Sequence, residues 1–213
     1  MLSAEFTDKR KGLLEAFKKF KIGFLLAIIF GIISFPNNIL NFLIFLHSEV
    51  HELFFYLQTY SIVAGIINFA GGIVVLYFLY KGFEGVEKYI SGTTIGKWGV
   101  VLKFIALIGS FIVSLFIIPK LFGALVGKDV HLAFLEIYGL RGIISLIGLI
   151  GAIFIAVALY HIGDHHNETL TIVGAILYIF IAWIGAILLF IGFRNLEEKM
   201  IHEPLILPPP PPL

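Results

Sequence analysis

The sequence predicts an all-α integral membrane protein, a helical bundle of five transmembrane helices with short amphipathic helices at the membrane interface. Hydrophobic residues make up 59% of the 213 residues and charged residues only 14%, and the mean hydropathy is +1.01. A soluble domain of that composition would lack the polar chain needed to wrap its core. Apolar runs long enough to cross ~30 Å of hydrocarbon at ~1.5 Å per residue occur five times. They cover residues 22–46, 60–80, 98–118, 142–160 and 170–193.

Residues 1–21 form an amphipathic lead. Its stretch GLLEAFKKF places Leu13, Ala16 and Phe20 at helical spacing with charges opposite. Two later stretches repeat the pattern: GFEGVEKYI with Phe83, Val86 and Ile90, and GFRNLEEKM with Phe193, Leu196 and Met200. Such faces predict short helices lying along the interface against lipid or a partner, or plain extensions that join spans. The first run, 22–46, carries no charge and is too long for the ~7–15-residue core of a cleavable signal. Its SFPNN segment predicts a kink at Pro36, or else a turn that would make this run a re-entrant hairpin. The kinked span is preferred, because the two halves are short.

The second and third runs read as one helical hairpin, and the fourth and fifth as a diverged copy. The second and fourth both end in Leu-Tyr, at Tyr80 and Tyr160, and the third and fifth open alike with TTIGKWG and TLTIVGA. Parallel repeats of this kind are used by some transporters. Residues 194–213 form a proline-rich tail in which Pro208 to Pro212 predict a polyproline II rod, a shape that an aromatic groove on a partner can bind.

These segments resemble a known family. The lead GLLEAFKKFKIG, the junction LYKGFEG…TIGKWG, the loop ALYHIGDHHNETL running into VGAILY, the exit LLFIGFRNL and the PPPPPL tail are similar to archaeal multi-pass membrane proteins catalogued as domain of unknown function 973. The resemblance covers most of the chain. It implies a polytopic archaeal membrane protein and supplies no catalytic residues.

Lysine and arginine set the expected orientation in the cell membrane, with a cytoplasmic amino terminus marked by Lys9, Arg10, Lys11, Lys18, Lys19 and Lys21. Five spans place Lys81, Lys88 and Lys97 on that side, and Lys120, Lys128, Arg141, Arg194 and Lys199 on the other. The bias is moderate. A formal net charge of +1 gives no field to attract nucleic acid.

No residue pattern predicts an enzyme or a cofactor. Cysteine is absent, which excludes disulfides, thiolate catalysis and cysteine-ligated metal centres. The histidine group His47, His51 and Glu52 lacks the order of a zinc peptidase motif. It lies two spans from His131 and Glu136, so these five residues form the one metal-ligand set that the topology permits, with polar-loop composition as the plainer account. His161, Asp164, His165 and His166 fall on the opposite face, in a stretch that Gly163 and DHHNET predict to be a loop.

Within the bilayer, Asn68 and Ser110 are expected at similar depth as a polar pair, which fastens two helices or lines a path. Lys103 is expected to snorkel to the interface. Ridges of small residues, Gly72 after Ala64 and Asn68, then Gly148, Ala152 and Ala156, then Ala182 and Ala186, predict close helix packing within the chain or against other subunits. The expected role is therefore a non-enzymatic structural or accessory subunit of a membrane assembly, embedded in the lipid bilayer with other membrane subunits or further copies of itself. The alternative is a small-solute or ion transporter or channel built on the duplicated hairpins. A metal-dependent membrane enzyme stands third, on His47, His51 and His131.

Overall fold

The computed structural model describes the backbone of residues 2–46, 51–126 and 130–202, and the side chains of 7–33, 63, 65–115 and 139–202. Six helices follow one another: α1 (Leu2–Leu46), α2 (His51–Val86), α3 (Thr94–Val126), α4 (Val130–His165), α5 (Thr169–Phe180) and α6 (Ala182–His202). No strand occurs among the described residues. Three segments are long and apolar enough to cross a membrane: Gly65–Val86, Thr94–Leu115 and Gly139–His165. Together with the composition, they suggest a membrane protein.

α1 is continuous over 45 residues, about 67 Å at ~1.5 Å per residue. The lead and the first apolar run are thus one helix, and the chain does not turn back at SFPNN. The same holds at the other two amphipathic stretches, which extend α2 and α6 rather than forming separate interfacial helices.

Each helix runs antiparallel to the next. Gly12 lies against Tyr89, Gly23 against Leu79 and Gly71 against Phe30, which fixes the register of α1 on α2. Gly72 meets Leu107, and Phe69 stacks on Phe111 at 4.2 Å, which fixes α2 on α3. α3 and α4 approach most closely where two glycines face each other. A Cβ on Gly99 would sit 2.7 Å from the Gly151 carbonyl oxygen, so the backbones touch there. α6 returns to pack beside α1, and the six helices close into a ring in chain order.

One end of the ring is filled. The apolar faces of the three amphipathic stretches meet one another there: Leu13, Ala16 and Phe20 from α1, Phe83, Val86 and Ile90 from the end of α2 and the turn after it, and Phe193 and Leu196 from α6 are all buried. They cover neither lipid nor a partner. Polar contacts tie this base together. The Arg10 guanidinium donates to the carbonyl oxygens of Met200, at 2.6 Å from Nε, and Ile201, at 3.2 Å, which satisfies the last turn of α6 with a cation. Lys21 pairs with Glu197, and Lys97 with Glu87 at 2.8 Å. In the turn between α2 and α3, Gly92 has φ 83 with the His161 ring against it, and the Thr93 hydroxyl donates to Ile90 O at 2.8 Å.

The last apolar run departs most from expectation. Residues 170–193 do not make a fifth span, because the helix breaks at Ile181 (φ −135, ψ 77) and the chain folds back. Gly174 then faces Leu189, Gly185 faces Tyr178 and Gly192 faces Thr171, a single antiparallel register over the length of α5. α5 has 12 residues, about 18 Å at ~1.5 Å per residue, against a hydrocarbon core of ~30 Å. The run is a helical hairpin whose two ends both lie at the base. It also ends the pairing of 142–193 with 60–118 as equal copies, since α5 is far shorter than the 33-residue α3.

Candidate functional site

The base holds an aromatic stack. Phe20 lies between Phe193 (ring centroids 4.7 Å, stacked) and Phe83 (4.8 Å, edge-on), and Phe24 and Phe17 continue it on Phe193 at 5.9 and 5.8 Å. All five rings are fully buried, with Leu79, Ile155, Leu159 and Leu189 around them. This plug seals the ring at the level where α5 and α6 enter.

Tyr178 of α5 sits on the plug, edge-on to Phe24 at 6.1 Å. Lys103 reaches across from α3 and places its ammonium 6.0 Å from the Tyr178 ring centroid. The expectation that Lys103 snorkels outward is therefore corrected: it points to the helical hairpin and is half-buried. The backbone explains why, because Gly151 of α4 packs on the Lys103 amide and brings α3 close to the helix that leads into α5. Among the described residues no carboxylate pairs with Lys103, and the Tyr178 hydroxyl makes no hydrogen bond. The buried polar atoms sealed off without a partner are instead His166 Nε2 and Thr171 Oγ1, so the lysine and tyrosine heads open onto accessible space.

Above the plug the ring is incomplete. The hairpin separates α1 from α4, and its tip carries Phe180 and Trp183 at 76% and 62% exposure. α1 and α4 make no direct contact among the described residues. Lys103 and Tyr178 lie on the base side of the tip.

The α2–α3 register, Gly72 on Leu107 and Phe69 on Phe111, brings Asn68 and Ser110 to one level, and the Ser114 hydroxyl donates to Ser110 O at 2.8 Å. Among the small residues, Gly72 packs on Leu107 and Gly148 on Ala106, while Ala152, Ala156 and Ala186 are buried inside the chain. Ala182 is exposed beside the hairpin tip.

Of the histidine groups, the one at 161–166 is described. α4 continues to His165, so the expected loop is helix almost to its end, and the turn consists of His166 and Asn167 (φ 51). His166 packs edge-on against Phe17 at 5.3 Å and His165 at 5.0 Å. Burial, with the positive charges of Lys199 and Lys9 and the neighbouring His165, lowers its pKa to about 4. Buried Glu168 accepts from Lys199 at 2.8 Å and Asn195 at 3.1 Å, which holds the turn to α6. No metal-ligand cluster occurs among the described residues. His47, and the side chains of His51, Glu52, His131 and Glu136, lie outside them, as does the tail 203–213.

A groove of about 320 Å³ runs between α1 and α6, lined by Lys21, Leu25, Phe190, Arg194, Glu197 and Glu198 among others. Its two cations are already paired, Lys21 with Glu197 and Arg194 with Glu198. Lys103, beside the Tyr178 ring, has no carboxylate partner among the described residues.

A family model described as a protein of unknown function, DUF973, matches residues 13–212. No curated protein matches the chain. No solved structure matches it either.

Proposed function

For a chain that belongs to the DUF973 family, we propose a membrane protein of four crossing helices and one re-entrant hairpin that moves a small solute or ion. The observation that carries this reading is the half-depth hairpin beside an intramembrane lysine. Irregular backbone at membrane depth is tolerated where protein buries it or where it lines a cavity, and ionisable groups in spans mark transport paths. The solute would enter beyond the hairpin tip and stop at Lys103 above the plug. Asn68 and Ser110 stand on the wall between α2 and α3.

The base is the cytoplasmic end in this reading. The re-entrant path returns Arg194 and Lys199 to the side of Lys9, Arg10, Lys11, Lys18, Lys19, Lys21, Lys81, Lys88 and Lys97, so eleven of the fifteen basic residues gather there. That is a stronger positive-inside bias than five spans would give.

The expectation of an accessory subunit drew on the small-residue ridges and the tail. Most of those ridges now pack inside the chain, which moves the balance to transport. The test is flux in liposomes: wild-type protein should pass small solutes faster than protein-free vesicles, and Lys103→Met should lose that increment. A wild type that passes nothing, yet purifies in a fixed complex, would favour the accessory role.

A further inference from the structure

We infer that Lys103 and Tyr178 form a binding site for a monovalent, weakly hydrated anion such as a halide, nitrate or short monocarboxylate. This deepens the transport reading by naming the class of its solute, and rests on that reading only for movement across the membrane.

Both polar heads at this point are donors. An ammonium offers three N–H groups and no acceptor, and a phenol offers an O–H. Lys103 Nζ lies 6.0 Å from the Tyr178 ring centroid. Among the described residues it pairs with no carboxylate, and no acceptor bonds the tyrosine hydroxyl. An uncompensated cation at this depth is costly unless a counter-ion joins it. The ring itself offsets part of the charge through its face, but a 6.0 Å contact is at the outer limit of that interaction. Because no described residue supplies the counter-charge, the partner inferred here is a negatively charged acceptor from outside the chain.

The surroundings select among anions. One cation stands here, because the nearby basic residues belong to the base and are engaged: Lys21 with Glu197, Lys97 with Glu87 and Lys199 with Glu168. A dianion such as sulfate would keep one charge uncompensated above the apolar plug, which meets Tyr178 at Phe24. A monovalent anion balances the site and gives up less hydration on entering it. The plug beneath is fully packed, so the ion does not reach this level from the base.

The test uses the full chain in detergent micelles and the chloride-35 NMR line width as probe. Wild-type protein should broaden the line, nitrate and acetate should reverse the broadening, and sulfate at equal ionic strength should not. Lys103→Met should weaken the displaceable component about ten- to a hundredfold, the loss expected for one charge-assisted hydrogen bond, and Lys103→Arg should retain it. Lys103→Met removes an unpaired charge from an apolar setting, so it should remain folded, which circular dichroism checks. Tyr178→Phe keeps the ring and should weaken binding a few-fold. The inference is overturned if folded Lys103→Met binds chloride like wild type, if wild type shows no displaceable component, or if sulfate competes as well as nitrate. Chloride binding that depends on Lys103 without any liposome flux would uphold the site and sink the transport reading, whereas flux with no such binding would do the reverse.

Discussion

The re-entrant hairpin can be tested by one methyl group. At Gly174 a Cβ would lie 2.9 Å from Leu189 N, 3.0 Å from Leu189 Cγ and 3.1 Å from Leu188 Cβ. Ordinary contact begins near 3.4 Å, and two of these neighbours belong to the rigid part of α6 rather than to a flexible side-chain end. Gly174→Ala should therefore push α5 and α6 apart by roughly half an ångström and cost ~1–3 kcal/mol of packing. Against this stands the helix propensity of alanine, which favours the variant by about 1 kcal/mol. The net expectation is a loss of about 0–2 kcal/mol. Gly31, in the same kind of helical segment but with nothing within 4 Å of its Cβ, isolates the second effect, and Gly31→Ala should gain about 0.5–1 kcal/mol. The assay is unfolding of the purified protein in mixed micelles, with the two variants compared in one preparation. If Gly174→Ala gains as much as Gly31→Ala, α5 and α6 are not in contact at that level, and the last run is a straight span after all.

Three further outcomes are expected. Because the chain has no cysteine, single cysteines at Asp8, Ser91 and Glu198 report sidedness directly: all three should react with an impermeant maleimide from one face, and Asp129→Cys from the other, whereas a straight fifth span would move Glu198 across. Glu168→Ala removes a buried carboxylate that accepts from Lys199 and Asn195 and should cost ~1–3 kcal/mol by leaving those donors unpaired, while Glu168→Gln should recover part of the loss in the same unfolding assay. The folded-state pKa of His166 is lowered to about 4, so between that value and its ordinary ~6.5 the unfolded chain binds more protons than the folded one. Stability should rise with pH through this window and level off on either side of it. The size should be of order 1–2 kcal/mol, reduced from the full ~1.4 kcal/mol per unit because part of the ring meets solvent. His166→Phe should flatten that slope, and a slope unchanged in the variant would refute the assignment.

Periodicity in the sequence located all three amphipathic faces, down to Leu13, Ala16 and Phe20, Phe83, Val86 and Ile90, and Phe193 and Leu196, because a stripe at helical spacing is a local property. What covers the stripe is not local, so the faces could be assigned to lipid although they meet one another. The turn at Ile181 was hidden for a related reason. Phe180, Ile181 and Ala182 carry none of the usual turn residues, and a straight span and two half-depth helices need the same hydrophobicity. The available signal was Gly174, Gly185 and Gly192, glycines that mark close backbone approach on both sides of the break. Conversely, SFPNN carried strong turn chemistry and is helix within the continuous α1. For Lys103, depth in the span was readable, but direction around the helix was not, and snorkelling and an inward path begin from the same position.

The contrast between the two kinds of hairpin also indicates which part of the protein would move in a transport cycle. α1 and α2 are in contact at the levels of Gly12, Gly23 and Gly71, and α3 and α4 at those of Gly99 and Gly148, so shifting either pair would expose packed surface along much of its length. α5 and α6 are tied at the base through Phe193 in the aromatic stack, the Lys21–Glu197 pair and the Arg10 contacts to the last carbonyl groups of α6 and are buried farther along at Ala175, Ala186 and Leu189, while the tip at Phe180 and Trp183 is exposed. A tilt of the hairpin that withdrew Phe193 would open the plug and shift Tyr178 relative to Lys103 in the same motion. Release of the ion and opening of the base would then be one event, since α5 carries half of the site and α6 carries the centre of the seal.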